Sequence, residues 1–282
     1  MPHNDTTGAS DYITTDAGDY TITMGAGNST VHTTGMGNQT ITTGAGISDI
    51  ITGAGNSTIT TGAGGSTITT GDGNDTITTG AGGSTIITGA GSSTITTGAG
   101  ISDIITGAGN STITTGDGGS TIHTGNGNNT ITTGAGGSKI TTGNGNDTIT
   151  TGADKSVVDS GTGNDTVTTG AGDDEVIYHV TGNLGNHSTF TGGTGINTLI
   201  LKMTNPELDI TEMKSDVVNY FHFLADNKGA AAFTFKAFGL TASMFEKLQV
   251  LTVDDQQIEH QIDLVALVEH DLVEYVGVHS QS

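Results

Sequence analysis

Cysteine, tryptophan and arginine are missing from this chain of 282 residues, and proline occurs only twice. Without cysteine there is no disulfide framework, a fact that speaks neither for nor against secretion. Seven lysines face 29 acidic residues, for a formal charge of −22. A nucleic-acid interface needs basic clusters, and there are none, so that class is excluded; anionic membrane surfaces are disfavoured for the same reason. An acidic chain of this kind is suited to cations and to staying soluble outside the cell. All seven phenylalanines lie at Phe190 or later, and no Phe, Tyr or Trp occurs between Thr21 and Ile177. That stretch cannot build a conventional globular core. No apolar run approaches the roughly 18 residues that span a bilayer. The opening MPHNDTTGAS has neither a basic n-region nor an apolar h-region, so no cleaved secretory signal is expected.

Catalytic signatures are missing as well. The nine histidines are scattered, with no H-E-x-x-H and no pairing at metal-ligand spacing; there is no G-x-S-x-G, and the glycines form neither a P-loop nor a strand-linked G-x-G-x-x-G. An enzyme is not expected.

What the chain has instead is 47 glycines and a period. Such a bias without a period would suggest disorder; with one, it favours a repeat architecture. The unit is T-G-x-G-x-(S/D/N)-T-I-x, nine residues, running from Thr43 to Ile177 without a gap. Looser copies start near Thr7, with one inserted residue near Thr33, and a last copy, GGTGINTLI, ends at Ile200. Thr43–Gly62 and Thr97–Gly116 are the same string, TGAGISDIITGAGNSTITTG. The fifth position exposes a longer period. It reads Asn56, Asn74, Ser92, Asn110, Asn128, Asn146, Asn164 in alternate copies, and Ile47, Gly65, Gly83, Ile101, Gly119, Gly137, Lys155, Asp173 in the others. The structural repeat is therefore two nonamers, 18 residues to the coil.

Glycines two and four permit a tight turn, and the β-branched T-I-x suits a short strand. Side chains alternate along a strand, so the eighth-position Ile or Val points inward while positions seven and nine point out. The expected fold is all-β: a right-handed parallel β-roll, or β-solenoid, over residues 1–200, with a small C-terminal α+β cap over 201–282. Copies such as TGNGNDTIT and GTGNDTVT resemble the nonapeptide repeat G-G-x-G-x-D-x-U-x of the repeats-in-toxin (RTX) family, with Thr in place of the first Gly. The resemblance covers about Thr7 to Ile200. It implies a calcium-loaded roll exported by a type I system through an uncleaved C-terminal signal, hence an extracellular or cell-surface location.

In that family the sixth-position aspartate binds Ca²⁺ together with turn carbonyls. Here the regular array keeps it only at Asp75, Asp147, Asp165 and Asp174, with Asp173 beside the last. These five are the candidate calcium ligands. Most other sixth positions are serine, which we expect to hold the roll without an ion by bonding to turn backbone.

A second candidate surface lies on the Asn-bearing strands. Their outward pairs are Thr40 with Thr42, Thr58 with Thr60, Thr76 with Thr78, Thr94 with Thr96, Thr112 with Thr114, Thr130 with Thr132, Thr148 with Thr150, and Thr166 with Thr168. The opposite strands carry mixed residues there, so β-propensity, which would act on both, does not account for the regularity. A flat uncharged lattice suits another lattice: a second protomer, an extracellular surface, or ice, as in ice-binding β-solenoids. The C-terminal stretch shows helical spacing over Thr211–Asn227 and strand patterns in AFTFKAF and KLQVLTV; its tail, IDLVALVEHDLVEYVGV, resembles an RTX cap and secretion signal. The expected function is a non-enzymatic, self-associating structural protein of a matrix, filament or surface layer. The alternatives are an ice-binding protein and a small secreted effector acting on host membranes.

Overall fold

The computed structural model of the protein describes residues 3–6, 10–227, 231–254, 256, 258–265 and 267. Among the described residues the strands form two 13-stranded sheets, and through the repeats the chain alternates between them about every nine residues. The first holds the Thr-x-Thr strands, the second the strands between them. Within each sheet, neighbours pair in parallel and in register 18 residues apart, as in Thr94↔Thr112, Ile95↔Ile113 and Thr96↔Thr114. This is a parallel β-solenoid, as the 18-residue period requires. The inserted residue near Thr33 shifts the offset to 19 in both sheets, at Tyr20↔Gln39 and Ser29↔Ser48, without breaking either ladder.

The core follows from the eighth position. Ile41, Ile50, Ile59, Ile68 and their successors up to Val176 are fully or almost fully buried, one per strand. Stacked in register, each contributes roughly 1.5–3 kcal/mol of burial, with no aromatic help between Tyr20 and Tyr178. Turns are as constrained as strands. Gly109 has φ +140°, and a Cβ there would lie 2.3 Å from Gly91 O. On the other edge Gly118 needs no unusual φ, yet its Cβ would meet Ala99 O at 2.6 Å. Close stacking of successive turns thus demands glycine on both edges.

After Tyr178 the character changes. A 3-10 turn, Thr181–Asn183, lengthens the coil, so that Thr166 pairs with Thr189. Helices Asn205–Leu208 and Thr211–Asn227 then leave the roll. The chain returns to lay Leu240–Ser243 on the first sheet and Lys247–Val253 on the second, both parallel. Antiparallel strands Phe233–Phe235 and Glu259–Gln261 finish the two sheets, giving their backbone edges partners. The helix over Thr211–Asn227 and the strands within AFTFKAF and KLQVLTV are where the sequence places them. Here the core becomes aromatic. Tyr220–Phe235 and Phe235–Phe238 lie 4.8 and 4.9 Å apart by ring centroid, and the Tyr178 hydroxyl donates to Phe238 O at 2.7 Å. From residue 268 the acidic, aliphatic tail lies outside the described residues, as does Thr7, where the looser repeats start.

Candidate metal centre and exposed faces

Each turn is flanked inside the roll by the first- and sixth-position side chains of one nonamer. Two interior polar columns result, one under each edge. Under the Asn-bearing edge the sixth positions run Ser57, Asp75, Ser93, Ser111, Asn129, Asp147, Asp165, Ser188; all are buried. Under the other edge they run Ser48, Ser66, Ser84, Ser102, Ser120, Ser138, Ser156, Asp174, Asn197, again buried. Asp147 and Asp165 therefore stand in adjacent coils of one column. Asp174 belongs to the opposite column, and Asp75 is four coils from Asp147. Asp173, a fifth-position residue, is exposed, and its Oδ1 accepts the backbone N–H of Ile196 at 2.8 Å.

Carboxylates and carboxamides in these columns reach the backbone of the preceding coil. Asp75 Oδ1 accepts from Ser57 N at 2.8 Å, Asn129 Oδ1 from Ser111 N at 2.9 Å, Asp147 Oδ1 from Asn129 N at 2.7 Å, Asp165 Oδ1 from Asp147 N at 2.9 Å and Asp174 Oδ1 from Ser156 N at 2.6 Å. Serine does so less often and at longer range: Ser138, Ser156 and Ser188 Oγ accept at 3.3, 3.2 and 3.1 Å. The expected serine-to-backbone ladder is thus only partial. A hydroxyl is one atom short of spanning coils about 4.8 Å apart, so in the first coils serine turns to the Thr five residues back instead. Thr43–Ser48, Thr52–Ser57 and Thr61–Ser66 are 2.7, 3.1 and 2.9 Å apart. In the middle, Thr79, Ser84, Thr88, Ser93, Thr97 and Thr106 bury hydroxyls with no hydrogen-bond partner.

Burial pushes the carboxyls of Asp75, Asp147 and Asp174 above the ordinary range, and that of Asp165 up to about 6. Hydrogen bonds to the ionised form oppose this but do not overcome it. Asp147 Oδ2 is buried with no hydrogen bond, in a residue 1% exposed, whereas the carboxyl of Asp174, 0% exposed, has the Thr169 hydroxyl beside it. Thr142 sits beside Asp147, but its hydroxyl donates to Ser160 O at 2.8 Å. Calcium takes six to eight oxygens and favours anionic ones. An orphaned buried carboxylate oxygen next to stacked turn carbonyls is a donor set that fits it, and the C-terminal coils supply it. The serine turns of the middle coils, with neutral hydroxyls only, do not fit. Among the described residues no three His, Asp or Glu side chains converge on a point, so an ion here would draw most ligands from turn carbonyls.

Three members of the columns escaped the sequence reading. Asn129 and Asn197 occupy sixth positions that the repeat frame marks. Glu246 lies outside the period, yet its Oε2 accepts the Asn197 N–H at 2.7 Å and prolongs the second column into the cap.

The fifth-position asparagines also have a role the alternation alone did not reveal. Asn56 Oδ1 accepts from Asn74 N, Asn74 Oδ1 from Ser92 N, Ser92 Oγ from Asn110 N, Asn110 Oδ1 from Asn128 N and Asn128 Oδ1 from Asn146 N, at 2.7–3.1 Å. The chain of bonds continues through Asn146 to Asn164 and ends at His187 N. It is an outer ladder running opposite to the inner one.

On the surface, the threonines fall into two straight columns along eight successive strands of the first sheet. Thr40, Thr58, Thr76, Thr94, Thr112, Thr130, Thr148 and Thr166 make one; Thr42, Thr60, Thr78, Thr96, Thr114, Thr132, Thr150 and Thr168 make the other. All sixteen are exposed, and each is paired in register with the next. The second sheet instead shows Ile51, Ile87 and Ile105, each about two-fifths exposed, with Ile47 and Ile101 at its turn edge more so. No described helix is long and apolar enough to cross a membrane.

Residues 51–86, 96–131, 105–140 and 141–176 match the RTX calcium-binding nonapeptide repeat, in four copies, two of them offset by one nonamer. Neither the curated proteins nor the solved structures gave a match.

Proposed function

Proceeding from a chain whose residues 51–176 carry RTX calcium-binding nonapeptide repeats, we propose that it is a non-enzymatic, secreted structural protein that self-associates at a cell surface or in an extracellular matrix. Calcium would load the acidic C-terminal coils and screen part of the net charge of −22, which otherwise opposes assembly. Export would follow the type I route typical of RTX proteins.

The observation that carries this reading is the Thr face. Sixteen exposed threonines form two straight columns with no charge among them, on a molecule that is otherwise strongly acidic. Two like-charged copies meet at least cost through their neutral faces. The regularity of the same lattice supports a second reading, ice binding.

One double variant tests both. Thr94→Tyr with Thr112→Tyr places two bulky side chains in mid-array and leaves the buried Ile95 and Ile113 untouched. Sedimentation in millimolar calcium should show oligomers for the parent and their loss in the variant, with an unchanged circular dichroism spectrum. A parent that stays monomeric at high concentration with calcium sinks the assembly reading. Thermal hysteresis in that monomer, abolished in the variant, establishes ice binding in its place.

A further inference from the structure

The string Thr-Gly-Asn-Gly-Asn occurs twice on the Asn-bearing edge, at 124–128 and 142–146. Each copy sets an asparagine directly before a glycine, and Asn126–Gly127 and Asn144–Gly145 are the only such pairs in the chain. Both asparagines are exposed. Asparagine is among the chemically labile residues, and it is most so before glycine, whose nitrogen no side chain shields. By sequence the two pairs are equals.

The coils above them are not. Asn126 Oδ1 accepts the backbone N–H of Asn144 at 3.0 Å, as Asp72 Oδ1, in the same turn position, accepts that of Ala90 at 2.8 Å. Asn144 has no such tie. The next coil enters its turn through Gly161 at φ +67°, and the Thr162 N–H goes to Gly143 O at 3.3 Å. Only the Thr162 hydroxyl reaches Asn144 Oδ1, at 2.7 Å. Backbone therefore pins one side chain and a rotatable hydroxyl the other. The glycine nitrogens themselves are held alike, Gly127 N–H by Asn144 O and Gly145 N–H by Thr162 O, both at 2.8 Å.

We propose that Asn144–Gly145 is a site of spontaneous deamidation in the folded chain, and that Asn126–Gly127 is protected by the coil stacked on it. When the coil at Thr162 lifts, the Gly145 nitrogen gives up its proton to hydroxide and attacks Asn144 Cγ. The bond from Cγ to the side-chain nitrogen breaks, ammonia leaves, and a five-membered succinimide forms. Water opens that ring at one carbonyl or the other, giving aspartate or isoaspartate. Aspartate is tolerated, since Asp72 already fills the equivalent place. Isoaspartate adds a carbon to the main chain of a turn where even a Cβ on Gly145 would lie 2.2 Å from Gly127 O. The coil so altered cannot restack as before, and the reaction marks, one way, chains whose C-terminal coils have opened.

Peptide mapping by mass spectrometry tests this on the full chain, held in mildly alkaline buffer either folded or in denaturant. In denaturant the two sites should react at the same rate. In the folded chain Asn144 should react several times faster than Asn126. Thr162→Val removes the hydroxyl and should speed Asn144 about fivefold, the equivalent of one hydrogen bond of about 1 kcal/mol, with Asn126 unchanged. Thr162→Ser keeps the hydroxyl and should leave both rates as they are. Circular dichroism reports whether the valine variant folds; if it does not, the comparison of the two sites in the folded parent decides alone. Equal rates in the folded parent, a faster Asn126, or no reaction at Asn144 while the denatured chain reacts would each overturn the assignment. So would a folded Thr162→Val whose Asn144 reacts no faster.

Discussion

The coils from about residue 79 to 133 and those from 139 to 200 share a period and a two-sheet register, yet their interiors are held by different chemistry. In the middle, each strand buries one isoleucine, and the turns beneath bury serine and threonine hydroxyls that often have no partner. Toward the C-terminus, valine, phenylalanine and leucine replace isoleucine at Val158, Val167, Val176, Phe190 and Leu199, and carboxylates replace hydroxyls at Asp147, Asp165 and Asp174. The middle is uniform and neutral inside, and its outer asparagine ladder ties coil to coil without a cation. The C-terminal end concentrates buried charge, so its stability depends on what neutralises that charge. On the calcium reading proposed above, one backbone plan would accommodate a metal-independent body and a metal-dependent end, the two differing mainly at one position in nine.

Removing calcium is the largest lever on this contrast. A ligand at 100 times its Kd stabilises the state that binds it by about 2.7 kcal/mol. Chelation should strip hydrogen-exchange protection from the strands over 148–179 well before those over 84–114. Uniform loss along the roll would erase the distinction between the two regions.

Next in size is the aromatic end of the core. Phe190 is fully buried and edge-on to Tyr178, with ring centroids 5.7 Å apart. Phe190→Ala should cost about 3–5 kcal/mol, against about 0.5–1.5 kcal/mol for Ile113→Val in mid-roll. Denaturant titration should show the first variant melting in two steps, C-terminal end first, and the second melting as the parent does.

Acidity acts in opposite directions with and without calcium. In chelator, Asp165 has a folded-state pKa of about 6, raised by burial from an ordinary value of 3.8. A raised carboxyl pKa contributes stability that is fully present below 3.8 and lost as pH rises through 6. At about 1.4 kcal/mol per unit, that is up to about 3 kcal/mol. Asp147 and Asp174 shift in the same direction. The calcium-free C-terminal coils should therefore be more stable at about pH 5 than at about pH 7.5, and Asp165→Asn should flatten that slope. In saturating calcium the slope should reverse, because protons compete with the ion for the same oxygens. Thermal melts at the two pH values, with and without chelator, measure both signs.

Much of this architecture was legible in the residues. The fifth-position alternation of Asn56 with Gly65 marks the two edges, the eighth-position isoleucines mark the core, and the extra residue near Thr33 appears as the 19-residue offset in both sheets. Helical spacing located the helix over Thr211–Asn227. The state of each carboxylate was not legible. Asp75 and Asp147 occupy near-identical nonamers, and only the direction in which Thr70 and Thr142 turn their hydroxyls distinguishes them. Rotamers of this kind depend on the coil above and below, including Ser160, where threonine stands in most other repeats. Glu246 was out of reach for another reason: two helices separate it from the repeat it completes.

The smallest effect tests whether the outer ladder is what frees the middle coils from calcium. Asn128 Oδ1 accepts the Asn146 N–H at 2.7 Å while its own N–H goes to Asn110 Oδ1. Asn128→Ala deletes the first of these bonds and keeps the second. Because the edge is exposed, water can reach the freed N–H, so the cost should be about 1 kcal/mol, the net value of one hydrogen bond, and not the full desolvation penalty of a buried group. The chain contains its own control. Ser92 occupies the equivalent place and accepts the Asn110 N–H through its hydroxyl at 3.1 Å, so Asn128→Ser should lose only part of what Asn128→Ala loses. Both losses should be the same with calcium and with chelator, since the ladder uses amide oxygens and no ion. A cost for Asn128→Ala that vanishes on adding calcium would mean that an ion substitutes for the amide there, and the division between a metal-free body and a metal-bound end would no longer hold.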